Sequence, residues 1–409
     1  MQAICRFSVA TGLIAAVVLS LCQTASAKNQ PIEPPAKAEP IKDGSLLGDI
    51  PYRCDERPEK RCSVTEFMRR ARVCALILVK SGKLRFRRFN TSNEFCRDDA
   101  GPNGWAKRYG VASVAKSVTS TLLGHAIATR YRAKTRAQFV AVLRQPTGRF
   151  IEEYAGAGVT ARSPYAGVSL DQVLRMRSGV RWTEYSWRSW FSDNERFRRR
   201  VREGRETVVE FASRYRSVER KGGAARFNYS ALDAAMVAVS AEIMLKGERL
   251  TKFLERELWD AIGAEASASW GVDVSQTAIG SCCFRATVRD LARFGMLVLA
   301  KGRDADGRQV IPGAWFDIAT KRDPSGADKI PLDSPSFNPG CPLDYRYFWW
   351  LFPNRTDFTA IGRSGQFVHV YPDYDTVIVQ ISDWGAWENG NDLECKTFKA
   401  HDALVKAMQ

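Results

Sequence analysis

The chain carries a run without a polar side chain from Val73 to Val79, followed by an alternation in which Leu84 and Phe86 are interleaved with Arg85 and Arg87. Two strands joined at Ser81-Gly82 are the expected outcome, because Ser-Gly is a turn dipeptide between two strand-like runs. The period then changes. In "YGVASVAKSVTSTLLGHAI" (109–127) Val118, Leu122, Ala126 and Ile127 recur at helical spacing, which predicts a helix from near Ala112 to about Arg130. Residues 131–280 keep mostly helical periodicity, with "LDQVLRMRSG" ending at Gly179 and "ALDAAMVAVSAEIMLKG" ending at Gly247, two glycines suited to C-caps. A further helix is expected over 287–302, with Thr287 as N-cap and Asp290 in its first turn. The last hundred residues return to short aromatic and β-branched runs, "YRYFWWLF", "FVHVYP" and "DTVIVQIS", read as strands before an amphipathic closing helix. This order predicts an α/β fold. One discontinuous α/β domain would comprise 61–130 and 281–409, interrupted by a mostly helical domain over 131–280.

The N-terminus changes the picture. Arg6, the apolar stretch Ala10–Leu21 and the small residues Ala25-Ser26-Ala27 have the layout of a cleaved signal peptide over 1–27. A periplasmic or secreted protein without a membrane span is expected. Residues 28–60 begin Pro-rich and polar and read as a tether. Of ten cysteines, Cys5 and Cys22 fall in the signal, leaving the even set Cys54, Cys62, Cys74, Cys96, Cys282, Cys283, Cys341 and Cys395. An even set in an oxidising compartment points to disulfides rather than zinc. Local pairs are expected among the first four, with Cys341 reaching Cys282 or Cys283. The net charge of +16 is concentrated in 188–226, where arginines alternate with apolar residues at helical spacing. That pattern favours a solvated helical face over a polyanion-binding surface.

Candidate chemistry begins at Ser113 and Lys116. Three residues apart on a helix, they share one face, so a buried lysine of lowered pKa could take the proton of a serine at the helix start. Two later segments join them: Tyr229-Ser230 just before a helix, and Arg363-Ser364-Gly365 at the head of a strand pair. In this order, the three segments resemble the motifs of the serine β-lactamase-related hydrolases. That family includes class C β-lactamases, D-alanyl-D-alanine peptidases, esterases and 6-aminohexanoate-dimer hydrolases. "VSLDQVLRMRSGVRWTE" and "FRATVRDLARFGMLVLAKGRDADGRQVIPGAWF" resemble further family stretches, so the likeness spans roughly residues 70–400.

The resemblance implies a β-lactamase/transpeptidase-like fold, an antiparallel sheet flanked by helices on both faces plus an all-α region. It implies Ser113 as the acylated nucleophile, Lys116 as its general base and Tyr229 as a second proton-transfer group that protonates the leaving group and later activates water. A phenol can do this only where nearby positive charge, here Lys116 and Arg363, stabilises the phenolate. The backbone N–H groups of Ser113 and Gln366 would form the oxyanion hole. Arg363, Ser364 and Gly365 would contact substrate, as would Tyr185. No metal or organic cofactor is implied, and the expected partner is a small amide or ester rather than nucleic acid. Ala231 and Arg363 stand where β-lactamases and peptidases usually have Asn and Lys. This departure favours the amidase/esterase side, closest to the 6-aminohexanoate-dimer hydrolases. Of the three histidines, His125 within the helix and His369 on a strand read as packing or edge residues rather than bases.

Overall fold

The computed structural model describes residues 29–38, 40–53, 61–90, 96, 104–150, 163–185, 191–215, 225–384 and 390–409. The signal-peptide assignment lies outside them. Seven strands build the main sheet: β1 (Val73–Lys80), β2 (Lys83–Phe89), β3 (Asp344–Arg346), β4 (Trp349–Leu351), β5 (Phe358–Gly362), β6 (Gln366–Tyr371) and β7 (Thr376–Ser382). They pair antiparallel throughout, in the order β2-β1-β7-β6-β5-β4-β3. The uninterrupted apolar run of β1 has a physical reason. Ala75, Ile77 and Val79 face one core, while Leu76 and Leu78 face a second one with Val64, Phe67 and Leu404. A strand covered on both faces has no need of polar alternation.

Four helices matter for the site. They are α1 (Val114–Tyr131), α2 (Ala231–Met244), α3 (Val288–Leu299) and α4 (Gly390–Lys406). On the first face, α3 lies close enough to the sheet that a Cβ on Gly295 would stand 2.5 Å from Val377. Thr287 caps α3 by accepting from the Asp290 N–H. Helices α1 and α2 are both buried along nearly their whole length, and Gly280 is wedged between Ala234, Ala238 and Thr119. On the other face α4 and the short helix Val64–Arg70 close the second core. Helices cover both faces of an antiparallel sheet, the β-lactamase/transpeptidase-like arrangement.

Four expectations are corrected. Residues 29–32 are no tether: they pair with Ala268–Gly271 in a four-stranded sheet completed by Phe284–Ala286 and Tyr109–Gly110, with Ile32 and Ile41 buried. The helix expected to reach Gly179 is the five-residue turn Leu170–Leu174, because Met176 turns left-handed at φ 55°. The run "YRYFWWLF" folds into two strands hinged at Tyr347 and Phe348, both at positive φ. Cys341 bonds Cys395, tying the loop before β3 to α4, and Cys282 bonds its neighbour Cys283. Cys74 and Cys96 form a local pair, as expected, and Cys62 is also disulfide-bonded. Cys54 lies outside the described residues.

Candidate active site

The end strand Tyr109–Gly110 delivers the chain to the site. Val111 N–H bonds the Phe284 carbonyl, Ala112 turns left-handed at φ 47°, and Ser113 opens α1. Ser113 occupies the N-cap position with helical φ and ψ, and its side chain makes no capping bond. The hydroxyl is therefore free for other work. Lys116 Nζ lies 3.0 Å from Ser113 Oγ, bonds the Ser281 carbonyl at 3.2 Å, and is 4.7 Å from the centre of the Tyr229 ring. Lys116 is only 2% exposed. Burial pulls its pKa down to about 8, against the opposing pull of Glu184. Roughly a tenth of the amine is then neutral at pH 7. In that form its lone pair accepts from the Ser113 hydroxyl.

Tyr229 precedes α2, whose first turn is capped by Ser230 Oγ accepting the Asp233 N–H. The ring packs against Tyr345 and Trp350, and the phenol makes a side-chain polar contact with Ser113. Burial and then the charge of Glu184 push the Tyr229 pKa well above its ordinary value, and the Ser113 contact eases it only in part. Of the two cations expected to favour its phenolate, Lys116 lies over the ring, while Arg363 is not among the groups that act on the phenol. The phenol is held protonated, and Arg363 acts electrostatically on Tyr185 and Glu195.

Arg363, Ser364 and Gly365 form the three-residue turn between β5 and β6, with Ser364 at φ 67° and Gly365 at φ 85°. Across the turn Gly362 pairs with Gln366. A Cβ on Gly362 would stand 2.4 Å from the Val111 carbonyl, so this hairpin end abuts the turn that carries Ser113. The Gln366 side chain clamps the same turn. Its amide donates to the carbonyls of Ser382 (2.8 Å), Ser364 (3.2 Å) and Arg363 (3.3 Å). Arg363 is exposed and enters no ion pair among the described residues. Tyr185, 54% exposed, borders an open cleft of about 510 Å³ that also reaches Trp182, Asn228 and Tyr229.

Two participants escaped the sequence reading. Ser281 contributes only a carbonyl, which no side-chain pattern signals. Glu184 is buried and accepts from the Trp182 indole at 2.6 Å and from the Ala231 N–H at 2.8 Å. A carboxylate between Trp182 and Tyr185 in "RWTEY" looks like an ordinary loop residue until the fold closes over it. The histidines do pack: His125 lies 3.3 Å from Glu257, and His369 bridges Asp357 and His401. In the basic segment Arg196, Arg198, Arg200 and Arg214 are paired with Asp193, Glu195 and Glu206, while Phe197, Val201 and Phe211 are buried.

The Beta-lactamase family profile matches residues 63–392. The chain belongs to the beta-lactamase family. A 6-aminohexanoate-dimer hydrolase from Paenarthrobacter ureafaciens is 27% identical over 284 residues. That alignment spans 68% of this chain and 66% of the relative, just under two thirds of its length. Among solved structures, a protein from Bacillus anthracis described as a candidate 6-aminohexanoate-dimer hydrolase superposes with a TM-score of 0.73. The overlap covers 93% of this chain and 91% of that one, at 18% identity. A penicillin-binding protein homologue from Caulobacter crescentus gives 0.56 over 83% and 96%, at 14% identity. At such identities the two structures speak for the fold alone. The beta-lactamase family is a hydrolase family, and no helix among the described residues is long and apolar enough to cross a membrane.

Proposed function

We propose that this beta-lactamase-family protein is an exported serine hydrolase that cleaves small linear amides or esters through an acyl-enzyme on Ser113. The observation that carries the reading is the 3.0 Å contact between a free serine hydroxyl and a buried amine of lowered pKa, with a protonated phenol over both. Neutral Lys116 takes the Ser113 proton as Oγ attacks the carbonyl carbon, and the carbonyl electrons move onto oxygen. The N–H groups of Ser113 and Gln366 receive that oxyanion, an effect worth roughly 3 kcal/mol per donor. When the tetrahedral intermediate collapses, Tyr229 gives its proton to the leaving amine or alkoxide and regains one from Lys116. Water then attacks the acyl-enzyme by the same relay in reverse and frees Ser113.

Substrate choice falls to the cleft rim, where Tyr185 offers an exposed ring and Arg363 a cation without an ion-pair partner among the described residues. An acyl or amine portion with an anionic end suits that rim. Ala231 is buried and its methyl side chain supplies no amide to an acylamino group. This supports amidase or esterase activity over β-lactamase or D-alanyl-D-alanine peptidase activity. A polyanion-binding role is weakened by the ion pairing of the arginines in 188–226. Nitrocefin, a D-alanyl-D-alanine peptide and the linear 6-aminohexanoate dimer, assayed side by side with p-nitrophenyl esters, test the choice. Turnover of the linear amide or esters above nitrocefin and the peptide is expected. The reverse order would assign the peptidase or β-lactamase reading.

A further inference from the structure

Glu184 has no cation paired with it at hydrogen-bonding distance among the described residues, and its two hydrogen bonds come from neutral donors, the Trp182 indole and the Ala231 amide. Ala231 is the first residue of α2, two positions after Tyr229. One carboxylate oxygen thus pins the 179–185 loop to the segment that aims the phenol. We propose that Glu184 is a positioning residue with a second effect: its bonds hold Tyr229 over Ser113 and Lys116, and its buried carboxylate acts electrostatically on both proton carriers. The proposal rests on the serine-hydrolase reading.

The groups around the couple are few. Lys116 is faced by Ser113 from its own helix, by the Ser281 carbonyl from the segment after Gly280, by Tyr229 from the residues before α2, and by Glu184 from the loop. Glu184 in turn acts on Tyr229, Tyr185, Asp233 and Tyr345, while Arg363 and Glu394 act on Tyr185 alone among these. The charge works in one direction at both proton carriers. It favours the lysinium, resisting the fall caused by burial, and it disfavours the phenolate, adding to the rise caused by burial. Removing it should release the Lys116 proton at lower pH. A residue that only braced the loop would leave the pH profile where it was.

The test is the rate at which a serine-directed fluorophosphonate labels the full-length protein between pH 5 and 10, as general-base activity follows the neutral amine. In the wild type the rate should rise about tenfold per pH unit and level off near pH 8. Glu184→Gln keeps a carbonyl oxygen for both donors and loses the charge. Its midpoint should fall by about one unit, so that labelling at pH 6 as a fraction of its own plateau rises about tenfold. Glu184→Asp keeps the charge on a shorter arm. Its plateau should fall, with the midpoint within about 0.3 units of wild type. An unmoved or raised midpoint in the Gln variant overturns the proposal. Should that variant not fold, a midpoint in the Asp variant lowered by about a unit overturns it instead. Wild type that is not labelled at any pH removes the hydrolase reading first, and the proposal with it.

Discussion

Gly362 offers a perturbation whose size can be worked from geometry. Its backbone is not in the left-handed region, so alanine brings no conformational strain there. What alanine brings is a Cβ 2.4 Å from the Val111 carbonyl oxygen and 3.0 Å from Gln366 Cβ. Ordinary contact needs about 1 Å more. The Val111 carbonyl cannot easily yield, because it accepts the Val114 N–H in the turn that presents Ser113. The hairpin end must retreat instead, and it carries the Gln366 N–H away from that of Ser113. A misplacement of about 1 Å costs on the order of 10²-fold in rate, and loss of one oxyanion donor about 10²–10³-fold. Gly362→Ala should therefore lower the acylation rate with a p-nitrophenyl ester by about 100-fold. Overpacking should reduce stability by only about 1–3 kcal/mol. Gly48→Ala, whose Cβ would meet no atom within 4 Å, is the control and should match wild type. Stopped-flow release of p-nitrophenol and thermal unfolding measure the two quantities. A folded Gly362→Ala protein that acylates within about threefold of wild type would refute the placement of the oxyanion hole between these turns.

Other expectations follow from the same contacts. Tyr229→Phe keeps the ring packing against Tyr345 and Trp350 but removes the proton, so kcat for an amide should fall about 10²–10⁴-fold with an almost unchanged Tm. Asp233, buried beneath Tyr165 and Ser178, has its pKa raised to about 7, mainly by burial. The native state then holds a proton that the unfolded chain releases near its ordinary value of 3.8, so stability from this group is lost as pH rises from about 4 to 7. Asp233→Asn should flatten that decline in urea unfolding measured across the window, and an unchanged slope would rule the assignment out. Cys341→Ser with Cys395→Ser opens a loop with a sequence separation of 54 and should cost about 4 kcal/mol in unfolding free energy by the chain-entropy account.

Much of the architecture was legible where local and tertiary demands agree. The β1–β2 hairpin declared itself through its apolar run and Ser81-Gly82, and both turn residues indeed adopt positive φ. Thr287 and α3 were equally plain, because a cap and its helix are neighbours in sequence. The elements that escaped depend on distant partners. Asn29–Ile32 becomes a strand only because Ala268–Gly271 offers an edge nearly 240 residues later. Leu170–Leu174 stops early at a left-handed Met176 that carries no glycine or proline signal. In the site, Ser113 and Lys116 were readable because one helical turn links them. Glu184 was not, since its meaning comes from Ala231 and Trp182 closing around it. The raised pKa of Tyr229 was not legible for the same reason, since the sequence shows the cations near the phenol but not the burial and the carboxylate that oppose them.

The most direct test of the central claim is peptide mapping by mass spectrometry after stoichiometric treatment with a fluorophosphonate at pH 8. One adduct on Ser113, formed far more slowly in a folded Lys116→Ala variant, is the predicted result. An adduct on another residue, no adduct at all, or equal labelling of the Lys116→Ala variant would contradict it.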